Sequence, residues 1–216
     1  MPAGSILYNL EQVEGNDLWL NEKFLHLLKK NRVWDYSQAN VHALAKYSVQ
    51  VEHVLPISYA PVLERIQHAP EKDIDVLFVG SMNDRRRLAL EAIHAKGLRV
   101  GHLFGAYGKE RDVFLGRTKI LLNMHYYEAK ILELVRISYY LSNRCTVLSE
   151  FSANPDEDLM FAKGVEFCAY DDLAERALAL CQDQAKRDQL AEDGYRLMSS
   201  FKIETYLQQA LQLEPA

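Results

Sequence analysis

The sequence predicts an α/β fold in which helices flank a parallel sheet, and three observations support this prediction. Strand-like apolar runs alternate with helical patterns along the chain, as they do in repeated strand–helix–strand units. Residues 74–79 form a nearly continuous apolar run, which is typical of a strand buried on both faces. Apolar residues make up 49% and charged residues 25% of the 216 residues, a balance typical of globular proteins.

We expect two α/β parts joined by a linker. Residues 1–59 predict a short first part, and Pro61 and Pro70 mark residues 60–73 as the linker. The predicted elements of the first part are strand 5–10, helix 19–30, strand 33–36, helix 38–47 and strand 49–55.

Residues 74–200 repeat the alternation more clearly. Asn83 or Asp84 is a suitable N-cap for the first helix of this part, and Gly97 is a suitable end for it. The predicted strands are 74–79, 98–104, 119–124, 146–149 and 165–170. The predicted helices are 84–96, 110–117, 131–142, 173–184 and 187–213, the last with a break near Phe201.

Charge and cysteine content narrow the class of protein. The 25 basic and 30 acidic residues give a net charge of −5, which argues against a nucleic-acid-binding protein. The 3 cysteines lack metal-ligand spacing and are expected to be reduced, which indicates the cytoplasm. We expect no signal peptide and no transmembrane segment, because no apolar run reaches about 18 residues. Peripheral contact with a membrane stays open.

A glycine turn between a predicted strand and helix is the first candidate ligand site. Gly80 and Ser81 lead into a helix N-terminus, where free N–H groups and the helix dipole favour an anion. Arg85, Arg86 and Arg87 follow in the first turn, where basic residues oppose the dipole unless an anion lies nearby. The alternative is a solvated basic turn that pairs with carboxylates.

Polar and aromatic residues after the next two strands are expected at the same edge of the sheet, where open α/β sheets bind ligands. Tyr107 and Gly108 follow the second strand, and the tyrosine is either a stacking surface for a nucleobase or an ordinary surface residue. Asn123, His125 and Tyr126 follow the third strand. His125 is either a ligand-binding or proton-transfer residue, or a structural histidine.

Carboxylates complete the candidate set. Glu133 and Arg136 stand three residues apart on a predicted helix, where they fit a surface ion pair. The alternative is that the carboxylate of Glu133 accepts two hydrogen bonds from the hydroxyl groups of a ribose. Glu150 ends the fourth predicted strand. Glu11, after the first strand, and His125 are candidates for a catalytic base, and the catalytic residue stays unassigned.

Several motifs resemble the C-terminal, donor-binding half of GT-B glycosyltransferases, in particular the spore-maturation type group among the proteins similar to glycosyltransferase families 1 and 4. The resemblance implies a Rossmann-like domain over residues 74–200 that binds a nucleotide-diphospho-sugar. It implies that the glycine turn and nearby basic residues hold the diphosphate, and that Glu133 holds the ribose. The motifs are DVLFVGS at 75–81 with the arginines that follow, YGKERD at 107–112, the block 119–150 and YDDL at 170–173.

The same resemblance bears on both ends of the chain. Residues 1–59 resemble the last strands and helices of the first domain of such enzymes, and so predict an incomplete α/β portion. Residues 201–216 resemble a helix that packs back on that portion. We expect a second chain to complete the first part, as in a homodimer.

The resemblance implies metal-independent transfer of a sugar from a nucleotide-diphospho-sugar to a glycan or small-molecule acceptor. The nucleotide sugar is a substrate, and no cofactor is expected. Asp156, Glu157 and Asp158 are interpreted as an acidic run before a short helix and not as a metal site. Two alternatives are a non-catalytic nucleotide-sugar-binding module and a nucleotide-binding protein of unrelated chemistry, because a fold alone does not fix function.

Overall fold

The structure is a computed structural model that describes residues 5–13, 20–126 and 130–212. It divides the chain into two units. The smaller unit comprises Met1–Ser58 and Lys202–Ala216, and the larger unit comprises Tyr59–Phe201.

The smaller unit contains a three-stranded parallel sheet in the order β1-β2-β3. Successive residues of its central strand face opposite sides. Val33 packs with Leu28 and Leu44, and Trp34 packs with Leu55 in a separate apolar cluster. The first elements of this unit are β1 (Ile6–Asn9), α1 (Glu22–Lys29), β2 (Arg32–Asp35), α2 (Gln38–Ala45) and β3 (His53–Val54).

The larger unit contains a five-stranded parallel sheet in the order β5-β4-β6-β7-β8. Phe78 packs in one apolar cluster and Leu77 in another, so β4 is buried on both faces as its apolar run predicts. The elements are β4 (Ile74–Val79), α3 (Asp84–Ala95), β5 (Val100–Leu103), α4 (Gly108–Gly116), β6 (Thr118–Asn123), α5 (Leu134–Ser142), β7 (Val147–Glu150), α6 (Pro155–Phe161), β8 (Val165–Cys168), α7 (Leu173–Gln182) and α8 (Gln184–Ser200).

A last helix, α9 (Ile203–Gln212), belongs to the smaller unit. Its Ala210 is buried in the cluster that contains Trp34 and Leu55. Within the described ranges, no helix combines the length and apolar character needed to cross a membrane.

Residues 60–73, expected as a linker, lie within the larger unit. The backbone N–H groups of Arg65 and Ile66 donate to the Oδ1 atom of Asn143 at 2.8 and 2.9 Å. The N–H group of Ala69 donates to the carbonyl oxygen of Gly116 at 3.0 Å. Because these bonds fix the segment on the larger unit, the boundary between the units lies at residues 58 and 59.

Several elements differ in their bounds from the sequence predictions, and three of these differences have a visible local origin. Helix α5 begins at Leu134 and not at residue 131, since Glu133, with φ of −77° and ψ of 61°, lies outside the helical region. Strand β3 covers only His53 and Val54 of the expected 49–55, because only these two residues pair with β2. The acidic run 156–158 lies in the first turn of α6 and not in a loop before it, with Asn154 as the N-cap.

Two glycines set the contact between α8 and the sheet. A Cβ atom on Gly164, just before β8, would lie 2.2 Å from the Cα atom of Gly194 in α8. A Cβ atom on Gly194 would lie 2.7 Å from the side chain of Leu141. Since Cβ atoms do not approach other atoms so closely, the two backbones touch only because both residues are glycine.

Candidate functional site

The strand order of the larger unit creates a switch point between β4 and β6. The chain passes from β4 to β5 on one side and then returns to β6 on the other side. In open α/β sheets, ligands bind beyond the carboxyl ends of the strands at such a point. The turn after Val79 and the segment after Asn123 lie there, and both contain predicted site residues.

Gly80 is the centre of this region. Its φ of 148° is one that residues with a Cβ atom rarely adopt. A Cβ atom at Gly80 would lie 3.2 Å from the ring of Phe78, 3.4 Å from Nη2 of Arg136 and 3.7 Å from Nη1 of Arg86. Two guanidinium groups therefore lie beside the turn, while the φ angle and the ring of Phe78 are what favour glycine at this position.

Arg86 is buried, with only 2% of its surface exposed. Its Nη1 atom donates to the carbonyl oxygen of Ser81 at 2.9 Å, and its Nη2 atom donates to the carbonyl oxygen of Met124. Its guanidinium carbon lies 4.8 Å from the ring centre of Phe78 and 5.1 Å from that of Tyr126. These contacts fix the guanidinium group between the turn after β4 and the segment after β6.

Arg86 lies beside a second cation, Arg136, and near the carboxylates of Glu133 and Glu150. Burial and the like charge of Arg136 lower the pKa of Arg86 to about 10, and the carboxylate of Glu133 opposes this shift. Arg86 therefore remains charged at neutral pH. A buried cation in this position is stabilised by any anion that reaches it.

Glu133 and Arg136 complete the cluster. The carboxylate oxygens of Glu133 lie 3.7 Å from Nη2 of Arg86 and 3.3 Å from Nη2 of Arg136. Nη1 of Arg136 donates to Oδ1 of Asn123 at 3.1 Å. Glu133 is the N-cap residue of α5, one position before the helix. One carboxylate thus serves two guanidinium groups.

Arg85, Glu150 and His125 form a second group beside the first. Nη1 of Arg85 donates to Oε1 of Glu150 at 2.7 Å and to the carbonyl oxygen of His125 at 3.3 Å. The other carboxylate oxygen of Glu150 accepts from Nη2 of Arg85, and Oε1 also accepts from the N–H group of His125. Hydrogen bonding to Glu150 raises the pKa of Arg85. The group joins α3, β7 and the segment after β6.

His125 is almost fully buried. Its Nε2 atom donates to the carbonyl oxygen of Phe151 at 3.2 Å, and its Nδ1 atom has no hydrogen-bond partner among the described residues. Burial lowers the pKa of His125 and so favours the neutral ring. The side chain is therefore enclosed, with one ring nitrogen bonded to the backbone.

The structure brings ten of the predicted site residues to the carboxyl edge of the larger sheet. These are Gly80, Ser81, Arg85, Arg86, Asn123, His125, Tyr126, Glu133, Arg136 and Glu150.

The remaining candidates lie outside the cluster that these ten residues form. Tyr107 is 77% exposed and Gly108 begins α4, in the segment after β5. The expected arginine trio is a pair, because Arg87 lies on the exposed side of α3, where it pairs with Asp84 and Glu91 at 3.3 and 2.8 Å. Glu11 belongs to the smaller unit.

Three further residues support the site, and two of them, His102 and Tyr170, had no site role in the sequence prediction. Nε2 of His102 in β5 donates to the carbonyl oxygen of Gly80 at 2.8 Å, and its ring stacks on Phe78. The ring of Tyr170 lies 3.9 Å from the guanidinium carbon of Arg85. The hydroxyl group of Ser149 accepts from Nδ2 of Asn123 at 3.0 Å.

The described ranges contain no group of three His, Cys, Asp or Glu side chains arranged to hold a metal ion. The acidic run 156–158 lies in the first turn of α6, where carboxylates interact favourably with the helix dipole.

Solved structures of glycosyltransferases share this architecture. HepE from Anabaena, in complex with UDP and glucose, superposes with a TM-score of 0.68 at 11% identity, covering 96% of this chain and 70% of its own. WaaG, a glycosyltransferase involved in lipopolysaccharide biosynthesis, superposes with a TM-score of 0.64 at 12% identity. The superposition covers 99% of this chain and 75% of WaaG. Sucrose-phosphate synthase from Thermosynechococcus elongatus superposes with a TM-score of 0.59 at 15% identity. The superposition covers 96% of this chain and 66% of the synthase. The chain has the GT-B fold.

The GT-B fold agrees with the resemblance that the motifs indicate, and the predicted fold class is confirmed. No family model matches the sequence. Two curated relatives are uncharacterized proteins of Acanthamoeba polyphaga mimivirus. One is 28% identical over 158 residues, which are 70% of this chain and 51% of the relative. The other is 34% identical over 121 residues, 54% of this chain and 14% of the relative. The chain thus spans about half of the first relative and a smaller part of the second.

Proposed function

We propose that the protein is a glycosyltransferase whose larger unit binds a nucleotide-diphospho-sugar at the carboxyl edge of its sheet. One observation carries the proposal above all others. The guanidinium groups of Arg86 and Arg136 both lie beside Gly80 at the switch point of the sheet, 3.7 and 3.4 Å from where a Cβ atom of this residue would be. Such a pair of cations, next to a glycine that lets a ligand approach the backbone, fits a diphosphate.

The comparisons support the same ligand class. One of the HepE structures contains UDP and glucose and another contains UDP-glucose. These molecules belong to HepE, and we transfer only their chemical class to this chain. In our proposal, Gly80, Ser81, Arg85, Arg86 and Arg136 bind the diphosphate, and Glu133 binds the ribose. Asn123, His125 and Tyr126 line the sugar and phosphate side, and Glu150 positions Arg85 and His125.

The mechanism that we propose is positioning together with electrostatic stabilisation of the departing nucleoside diphosphate. The negative charge that develops on the leaving phosphate is stabilised by guanidinium groups that are already in place. These groups supply the positive charge, so the proposed transfer is metal-independent. Tyr107 and Gly108, at the start of α4, are proposed to contact the base. The catalytic base is unassigned, with Glu11 and His125 as the candidates.

The acceptor class, the cytoplasmic location and a homodimer are parts of the proposal that need their own measurements. A glycan or small-molecule acceptor follows from the proposed reaction. Light scattering in line with gel filtration measures the mass of the particle and tests the homodimer.

A binding experiment followed by a turnover experiment tests the proposal. Calorimetric titration with UDP, GDP, dTDP and CMP should detect binding of at least one nucleotide, and Arg86→Lys should weaken it while Arg87→Lys should not. Release of free nucleotide from the matching sugar donor should then require Arg86. Binding without any release would support the alternative of a non-catalytic nucleotide-sugar-binding module. Binding of none of the nucleotides would contradict the proposal.

A further inference from the structure

The position of Glu133 between Arg86 and Arg136 has a consequence for which anions the site accepts. The shortest distances from its carboxylate to the two guanidinium groups are 3.7 and 3.3 Å. Both exceed the ~2.8 Å of a charge-assisted hydrogen bond. Glu133 is therefore held mainly by charge and not by close bonds.

The backbone around Glu133 leaves its side chain free for another role. The residue stands at the N-cap of α5, but its side chain makes no capping hydrogen bond. Its side chain is 24% exposed, whereas that of Arg86 is 2% exposed and bonded to two carbonyl oxygens. The arginine is fixed and the carboxylate is not, so the carboxylate can leave without disturbing the helix or the cation.

We infer that Glu133 is an internal counter-anion, which a phosphate group bound by Arg86 and Arg136 displaces. This inference rests on the proposed function of the site. A displaced carboxylate stays beside the bound phosphate and repels it. Because a carboxylate is an acceptor only, it compensates for this repulsion when the ligand also carries hydroxyl donors.

Glu133 is then a specificity-determining residue. It penalises simple anions such as inorganic pyrophosphate, which carry no hydroxyl group for it to bind. It tolerates a nucleoside diphosphate, whose ribose presents two hydroxyl groups. The same residue thus turns a general anion site into one that prefers nucleotides.

Calorimetric titration of the full chain with inorganic pyrophosphate and with UDP tests this inference. In Glu133→Gln we expect the Kd for pyrophosphate to fall about tenfold, because one like charge beside the ligand is removed. The Kd for UDP should fall far less or rise, so the preference for UDP over pyrophosphate shrinks. Glu133→Ala removes the same charge and should change each Kd as Glu133→Gln does, so it is the second variant if the first is unstable.

Glu91→Gln is the matched control. It changes the net charge by the same amount, but Glu91 is 58% exposed on α3 and pairs with Arg87 at 2.8 Å. We expect less than about a twofold effect on either ligand, since an exposed charge is screened by solvent and salt. The inference would be overturned if the Kd for pyrophosphate fell equally in Glu133→Gln and Glu91→Gln. A higher Kd for pyrophosphate in Glu133→Gln would also overturn it. Binding of neither ligand to the wild type and variants would overturn the proposed function as well.

Discussion

The guanidinium group of Arg85 bonds both carboxylate oxygens of Glu150 and so joins the first turn of α3 to the end of β7. The same carboxylate accepts the backbone N–H group of His125. The sequence predicts Glu150 as a ligand-binding residue at the rim of the site, but only 2% of its side chain is exposed. In our proposal, its role is to hold Arg85 and the segment of His125 in place.

A double-mutant cycle of Arg85→Gln and Glu150→Gln measures this connection. Because Glu150 is buried, we expect the two changes to be non-additive by about 1–2 kcal/mol in the free energy of unfolding. Urea unfolding of the wild type, both single variants and the double variant supplies the four values. Additive effects would show that the pair contributes no coupling.

Gly80→Ala should weaken nucleotide binding. The added methyl group would press on the ring of Phe78 beside the two guanidinium groups, and a φ of 148° is strained for alanine. Gly97→Ala is the control, since Gly97 also has a positive φ, of 82°, but open space around it. Both variants should lose about 1 kcal/mol of stability from backbone strain. Calorimetry should show at least about tenfold weaker UDP binding only for Gly80→Ala. Equal binding by both variants would contradict this prediction.

Arg86→Lys should lower both stability and nucleotide affinity. Lysine cannot donate at once to the carbonyl oxygens of Ser81 and Met124 as the planar guanidinium group does. We expect a loss of about 2–3 kcal/mol in the free energy of unfolding, measured by urea titration. Arg87→Lys, at the next position but 50% exposed, should change it by less than about 0.5 kcal/mol. A similar loss in both variants would show that burial of Arg86 does not matter.

Stability should fall as the pH drops through about 6.5. Burial lowers the pKa of His125 below its ordinary value of 6.5, so the unfolded chain takes up a proton at a pH where the folded protein does not. The loss is absent well above pH 6.5 and is complete once the pH is below the folded pKa. Burial lowers the pKa of His68 in the same way, so His125→Asn should remove only part of the loss. Urea unfolding between pH 5 and 8 measures the slope, and an unchanged slope in His125→Asn would refute the assignment.

Local signals account for the part of the site that the sequence predicts. The strand, glycine and N-cap around Gly80 lie within ten residues, so their pattern is visible without the fold. The same is true of the separation between Arg86 and Arg87. Successive helical residues point about 100° apart, so three arginines in a row cannot all face one side of a helix. Helical phase alone predicts that one of the three faces solvent.

Contacts between distant segments account for what the sequence does not show. Phe78 lies inside an apolar run, so the sequence predicts only a core residue. In the structure its ring lies under the guanidinium group of Arg86. His102 and Tyr170 contact Gly80 and Arg85 across 22 and 85 residues of sequence. The non-helical backbone at Glu133, which makes this residue the N-cap of α5, follows from no residue type in the sequence around it.

The direct backbone contact of Gly164 and Gly194 offers a criterion for sorting remote homologues. At 11–15% identity, most aligned positions carry little information. The need for glycine at two sites, 30 positions apart, is a stricter criterion than overall sequence identity. A homologue with a larger residue at one of these sites must move the helix that corresponds to α8 away from the sheet. This displacement is visible from backbone coordinates alone.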